Sequence, residues 1–168
     1  MNRNNILSIF QFILLILLQS FLLNNINLFG FVNPNLYILF FVVYRFDGNK
    51  TLLIFLGFLM GIILELLNQG SGAHVIATTT IAFLRPFIIK TSFGINENIA
   101  MGMIEGTPLN QRIMYLLILI TIHHLILYTV IYLSLGSILI ILKNTFFTSF
   151  FTFIMVYISL GLFKETNE

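Results

Sequence analysis

Long apolar runs separated by short polar connections are the feature that most constrains this chain. Six runs are predicted as membrane-spanning helices, at approximately residues 6–23, 32–44, 52–67, 73–89, 113–133 and 145–163, since a helix needs about 20 residues to cross the hydrocarbon core. Only 8% of the 168 residues are charged and 58% are apolar, too few charges to cover a water-exposed surface. The sequence therefore predicts an all-α integral membrane protein with one six-helix domain and no soluble catalytic domain.

Two of the six runs have unusual lengths. The second, at residues 34–44, is too short to cross a core of about 30 Å as a helix. We expect it either to be extended by residues 28–32 or to thin the bilayer locally. The last run, at residues 135–163, is too long for one upright helix. Residues 136–142 are therefore interpreted as an interfacial or re-entrant piece that precedes the final span.

The basic residues predict the orientation of the chain, because cytoplasmic loops are enriched in lysine and arginine. If the N-terminus is cytoplasmic, only Lys143 lies outside, whereas seven basic residues lie inside: Arg3, Arg45, Lys50, Arg85, Lys90, Arg112 and Lys164. Adding or removing one span would scatter these seven over both sides. The pattern predicts six spans with both termini cytoplasmic and a cytoplasmic connector at residues 91–112.

The third run contains the one acidic residue that lies inside a predicted span, Glu65. Gly57, Gly61 and Glu65 follow one another at four-residue spacing and therefore share one face of a helix. Glycines at this spacing allow a neighbouring backbone to approach closely. Because an ionisable group is costly in hydrocarbon, Glu65 should face protein or water.

A glycine-rich turn at residues 68–72, with Gly70 and Gly72, joins the third and fourth runs on the predicted outer side. The turn brings Glu65 and His74 to similar depth on antiparallel helices. We predict a hydrogen-bonded Glu65–His74 pair, because a buried charge requires a partner. Such a pair either only locks the hairpin or also handles protons or contacts a substrate. The remaining alternative is that the two residues do not touch.

Polar side chains also occur in the first and fourth runs. Gln11 and Gln19 are eight residues apart on one helix face and are predicted to bond to neighbouring helices. Arg85 and Pro86 are interpreted as the end of the fourth span, because proline interrupts a helical pattern. Arg85 would then reach lipid phosphate at the cytoplasmic face, with docking of a partner as the alternative.

Two adjacent histidines lie in the middle of the fifth run. His124 shares a stripe with Thr121, Tyr128 and Tyr132, at steps of three and four residues. This stripe is typical of a polar contact between helices. His123 points about 100° away from His124, an arrangement that does not favour binding of one metal ion by both.

Motifs for catalysis and cofactor binding were not found in the sequence. Intramembrane aspartyl chemistry needs two carboxylates, and Asp47 lies in a loop. The chain has no cysteine and no phosphate-binding glycine pattern, and its net charge of +2 does not indicate nucleic-acid binding. We therefore expect no catalytic residue, cofactor or metal. A membrane transferase that uses His123 or His124 is a minor alternative.

The chain resembles the rod shape-determining protein family MreD over essentially its whole length. The resemblance rests on three blocks: Gln19 with residues 22–24 and Pro34; residues 57–66 with Gly70, Gly72, His74 and Ala77; and Arg85-Pro86 with residues 123–125. Glu65 stands where many members of the family carry aspartate. The second block is the most specific of the three.

The resemblance implies a multi-pass protein of the bacterial inner membrane, with a fold like that of the substrate-binding subunits of energy-coupling-factor transporters. It implies a non-enzymatic scaffold that maintains cell shape and regulates peptidoglycan synthesis by binding MreC, in a rod complex with MreB, RodA and a class B penicillin-binding transpeptidase. The alternative is a small-molecule-binding subunit of such a transporter. The candidates for packing or partner binding are Gly57, Gly61, Glu65, Gly70, Gly72, His74, Arg85 and His124.

Overall fold

The structure, a computed structural model, describes residues 3–44, 50–94 and 107–162. These residues form six α-helices: α1 (Arg3–Phe21), α2 (Ile38–Val43), α3 (Lys50–Asn68), α4 (Ala73–Phe93), α5 (Leu109–Tyr132) and α6 (Ile138–Leu162). Two short 3₁₀ turns, Leu23–Asn25 and Leu135–Ser137, follow α1 and α5. Within these ranges, extended pairing is limited to an isolated bridge between Leu28 and Val32.

Within the described ranges, five helices are long and apolar enough to cross a membrane: α1, α3, α4, α5 and α6. The expectation of an all-helical protein with several spanning helices is confirmed to this extent. Apolar side chains cover much of the outer surface of these helices, which is the arrangement expected when the surrounding medium is lipid.

The second predicted span is shorter than expected, because α2 has only six residues. The backbone groups of Leu28 and Val32 bond to each other at 2.8 and 2.9 Å, so residues 28–32 form a tight turn. Extension of the second helix by these residues is therefore wrong. The turn is favoured by Gly30, whose φ of +80° lies in the region that suits glycine. Residues 36–42 are buried by the other helices.

The fourth and sixth helices are longer than predicted. α6 is continuous over 25 residues from Ile138, so the separate interfacial piece at residues 136–142 is wrong. The polar residue near its start, Asn144, donates to the Tyr132 hydroxyl at 2.8 Å, and the helix can therefore continue through it.

α4 passes through Pro86 to Phe93, so Pro86 does not end the helix. Proline is tolerated in membrane helices where neighbouring helices supply packing and hydrogen bonds.

Helices that follow one another in the chain pack together: α3 on α4, α4 on α5 and α5 on α6, while α1 contacts α2 and α3. We call the end of the bundle that holds residues 68–72 the turn end. α1, α3 and α5 finish there, and α4 and α6 begin there. The opposite end, which holds Lys50, Lys90 and Arg112, is called the basic end.

Candidate functional site

Close packing of α3 on α4 depends on the two glycines of α3. A Cβ atom built on Gly61 would lie 2.5 Å from the Cα of Val75 and 2.6 Å from the Thr78 hydroxyl. A Cβ on Gly57 would lie 2.9 Å from both the Ala82 Cβ and the Thr78 carbonyl oxygen. Since these distances are too short for real contacts, the backbones can approach this closely only without side chains at both positions.

Glu65 contacts His74, but through the main chain of His74. The Glu65 Oε1 atom accepts a hydrogen bond of 2.6 Å from the backbone nitrogen of His74, the second residue of α4. This N–H is one of those that a helix leaves unpaired at its start, and the helix dipole favours a negative charge there. A Cβ on Gly70 would collide with the carboxylate, and Gly72 has a φ of +89°. An alanine at position 70 would therefore push the Glu65 carboxylate out of the cap, and Gly72 adopts a backbone conformation that favours glycine.

The imidazole of His74 bonds to a different partner, the hydroxyl of Tyr37. Its Nδ1 lies 2.9 Å from this hydroxyl, which in turn lies 2.9 Å from Nε2 of His123. Tyr37 and His123 are fully buried. Because a hydroxyl carries a single proton, Tyr37 donates to one histidine and accepts from the other. We call these three residues the histidine–tyrosine chain; it links the tautomers of the two histidines.

His124 belongs to a second buried network. Its Nδ1 donates to the carbonyl of Ile120 at 2.8 Å, so Nε2 of the neutral ring is the acceptor. The amide of Asn35 lies 3.2 Å from this nitrogen, and the hydroxyl of Thr152 lies 3.4 Å from it. The backbone nitrogen of Asn35 also donates to Thr152 at 3.0 Å. His124 thus joins α5, α6 and the segment before α2.

The polar stripe predicted around His124 continues along α5, with one exception. Tyr128 bonds to Thr148 of α6 at 2.8 Å, and Tyr132 accepts from Asn144 of α6. Thr121 is exposed on the outer surface, so its assignment to the stripe is wrong. On an ideal helix Thr121 lies about 60° from His124, on the same side as Tyr128 and Tyr132, so the residue spacing does not explain its exposure.

Gln19 ties α1 to the residues that precede α2. Its Nε2 donates to Asn24 Oδ1 at 2.7 Å and to the carbonyl of Pro34 at 3.1 Å, and its Oε1 accepts from the backbone of Leu36 at 2.8 Å. The same Nε2 lies 3.3 Å from Asn35 Oδ1. One fully buried side chain therefore satisfies backbone groups that are not paired in a helix.

A cavity of about 660 Å³ opens at the turn end of the bundle. Seven carboxamide side chains line it: Asn24, Asn25, Asn33, Asn35, Asn68, Gln69 and Asn144. The other polar lining residues are Ser20, His74, Tyr128 and Tyr132, and none of the described residues in the lining is Asp, Glu, Lys or Arg. Asn35 and His74 also belong to the buried networks, so the lining continues into the interior of the bundle.

The cavity was not predicted from the sequence. The signal that could have found it is the repeated placement of carboxamides, such as Asn24, Asn33 and Asn68, in connections predicted to lie on the same side of the membrane. Such residues are common in turns, and their convergence depends on packing between distant segments.

Arg85 lies inside the bundle and away from the cavity. It is 1% exposed; its Nε donates to the Tyr115 hydroxyl at 3.3 Å and its Nη2 to the Tyr44 carbonyl at 2.7 Å. Contact with lipid phosphate is therefore wrong for Arg85. The reason is that α4 continues for two more turns, which keeps the guanidinium among the helices. In the described part of the chain, its Nη1 has no hydrogen-bond partner.

Neither a cluster of metal ligands nor a similar known protein indicates a function for this site. Over residues 3–44, 50–94 and 107–162, no cluster of three or more His, Cys, Asp or Glu residues is placed to hold a metal ion. The chain matches no family model, no curated protein and no solved structure. The function is therefore proposed from the sequence resemblance together with the hairpin, the buried networks and the cavity.

Proposed function

We propose that this protein is a non-enzymatic scaffold of the MreD type in the bacterial inner membrane. It binds MreC and thereby regulates peptidoglycan synthesis and cell shape, within a complex that includes MreB, RodA and a class B penicillin-binding transpeptidase. The observation that carries the proposal is the α3–α4 hairpin. The residues on which the family resemblance is most specific form one packed unit there, in which Gly61, Glu65 and Gly70 have structural roles.

A rigid hairpin suits a scaffold for a physical reason. Helices in lipid gain little from the hydrophobic effect when they associate, so recognition depends on shape, close packing and hydrogen bonds. A partner helix therefore needs a surface of fixed geometry. The glycine contacts and the Glu65 cap hold α3 and α4 in one relative position, which provides such a surface for the membrane span of MreC.

We also propose the six-span topology, with both termini and the basic end in the cytoplasm. Lys50, Lys90 and Arg112 lie at the basic end, whereas Lys143 lies near the turn end. This asymmetry supports the orientation. The second crossing would be made by α2 together with the residues that precede it. Their burial supports this, because non-helical backbone at membrane depth is tolerated where protein surrounds it.

The proposal is tested by recovery of MreC with the full-length chain and by restoration of rod shape in cells that lack it. We expect Gly61→Leu to lose both, because the larger side chain has no room against α4. Gly161→Leu is the matched control, since a Cβ at this glycine of α6 meets nothing within 4 Å. Failure of the wild-type chain to bind MreC, or normal recovery of MreC by Gly61→Leu, would contradict the proposal.

A second candidate function is favoured by the cavity. A small-molecule-binding subunit of an energy-coupling-factor transporter needs convergent polar groups in a pocket, and the turn end provides them. This alternative requires a separate ATPase partner. Recovery of such an ATPase with the wild-type chain, in place of MreC, would support it over the scaffold.

A further inference from the structure

The cavity at the turn end has the size and the lining of a ligand site. Ligand pockets usually enclose about 300–1,000 Å³ and place a few polar groups to fix orientation. At about 660 Å³ the cavity lies within this range. Its lining is unusual because carboxamides are so numerous and because formal charges are missing among the described lining residues.

The carboxamides of the lining keep both donors and acceptors that no bond within the protein uses. Asn25, Asn68 and Asn144 each use their Nδ2 in a bond within the protein, which leaves their oxygens as acceptors. Asn24 and Asn33 use their Oδ1 atoms instead, which leaves their NH₂ groups as donors. A ligand that suits this lining therefore carries groups that donate and accept at closely spaced positions, as hydroxyls do.

Two tyrosines, Tyr128 and Tyr132, also line the cavity. The Tyr128 ring stacks on His124, with centroids 6.4 Å apart, and on Tyr132, with centroids 6.3 Å apart. Among the described residues Tyr132 stacks on this one ring, so its second face is the one that suits the C–H face of a sugar.

We propose that this cavity binds an uncharged, hydroxyl-rich ligand of the carbohydrate class. A charged ligand would be buried without a partner of opposite charge, and an apolar ligand would leave the carboxamides unsatisfied, and both are costly. The inference goes beyond the scaffold function and does not depend on it.

The experiment measures binding of neutral disaccharides to the full chain by saturation-transfer NMR and calorimetry. The chain is held in lipid nanodiscs, because maltoside detergents present sugar headgroups of their own. The probes are N,N′-diacetylchitobiose, cellobiose and maltose, with a uronic-acid disaccharide as the charged comparison and a short uncharged peptide as the alternative occupant. We expect saturable binding of at least one neutral sugar and weaker binding of the charged one.

Two variants locate the binding. Asn25→Ala removes one carboxamide oxygen of the lining and is expected to weaken binding about three- to tenfold, the effect of one neutral hydrogen bond. Asn110→Ala is the matched control, because it removes an exposed carboxamide at the start of α5, at the basic end. Asn25→Trp places a large side chain at an exposed position of the lining and is expected to abolish binding.

Three results would overturn the proposal: no binding of any neutral disaccharide, equal binding by Asn25→Ala and Asn110→Ala, or tighter binding of the charged sugar or the peptide. Recovery of MreC is measured on the same preparations. Because Asn25 lies outside the α3–α4 hairpin, a failure of sugar binding with normal recovery of MreC separates this proposal from the scaffold proposal.

Discussion

The carboxylate of Glu65, in the last turn of α3, accepts a 2.6 Å hydrogen bond from the backbone nitrogen of His74 at the start of α4. The side chain of one helix thus caps the next helix across a turn of four residues. The bond leaves the imidazole of His74 available for Tyr37. One pair of residues therefore fixes the hairpin and connects it to the buried histidine–tyrosine chain.

Substitutions of Glu65 test whether the residue acts as a hydrogen-bond acceptor at the start of α4 or whether its negative charge is needed. Gln keeps an oxygen that can accept from His74, whereas Leu leaves this N–H unpaired in a partly buried position. We expect Glu65→Leu to lower the free energy of unfolding by about 1–3 kcal/mol, and Glu65→Gln to lower it by less. Thermal unfolding in detergent and restoration of rod shape are the readouts. Equal loss in both variants would indicate that the negative charge itself is needed.

Gly70→Ala is predicted to displace the Glu65 carboxylate from the start of α4. A Cβ there collides with the Glu65 carboxylate, so Gly70→Ala should destabilise the hairpin by about 1–3 kcal/mol. Gly136→Ala is the control, because its Cβ would meet only the Ser134 hydroxyl at 3.6 Å. In a chain that already carries Glu65→Ala, the added cost of Gly70→Ala should be smaller, since the colliding group is gone. Costs that simply add in the double variant would refute the proposed collision.

The sequence predicts the α3–α4 hairpin well because its determinants are local. The spacing of Gly57, Gly61 and Glu65 and the following glycine turn lie within 20 residues, and helical periodicity alone places them on one face. The sequence did not predict whether Glu65 bonds to the backbone N–H or to the imidazole of His74, because both groups belong to one residue. The backbone is the donor because the imidazole bonds to Tyr37, which comes from another segment.

The sequence did not predict the features that form between segments far apart in the chain. Asn35 bonds to Thr152 across 117 positions, and the cavity draws its lining from five parts of the chain. Arg85 was placed at the lipid surface because proline after arginine usually marks a helix end, whereas packing against Tyr115 keeps it buried. Local patterns carry no information on such contacts. The non-helical backbone before α2 was not predicted for the same reason, because the Gln19 side chain from α1 bonds to it.

Tyr37→Phe tests the histidine–tyrosine chain. The substitution keeps the ring contacts but removes the hydroxyl that bonds to both His74 and His123. His123 would then have neither ring nitrogen bonded within the described structure, because its Nδ1 already has no partner. We expect a loss of about 1–3 kcal/mol in unfolding free energy. Tyr157→Phe, at an exposed position of α6, is the control and should unfold like the wild type. An equal loss of stability in both variants would contradict a specific role for the histidine–tyrosine chain.

Arg85→Lys distinguishes the buried position of this arginine from a contact with lipid phosphate. The guanidinium reaches Tyr115 and the Tyr44 carbonyl with two different nitrogens, and a single ammonium group does not reproduce that fork. We therefore expect Arg85→Lys to lower the unfolding free energy by about 1–3 kcal/mol. Lys90→Arg is the control, because it exchanges the same two residue types in the opposite direction at an exposed position. It should leave the unfolding free energy unchanged. Full stability of Arg85→Lys in nanodiscs would mean that the arginine acts only as a positive charge near the membrane surface, because a lysine serves that role equally well.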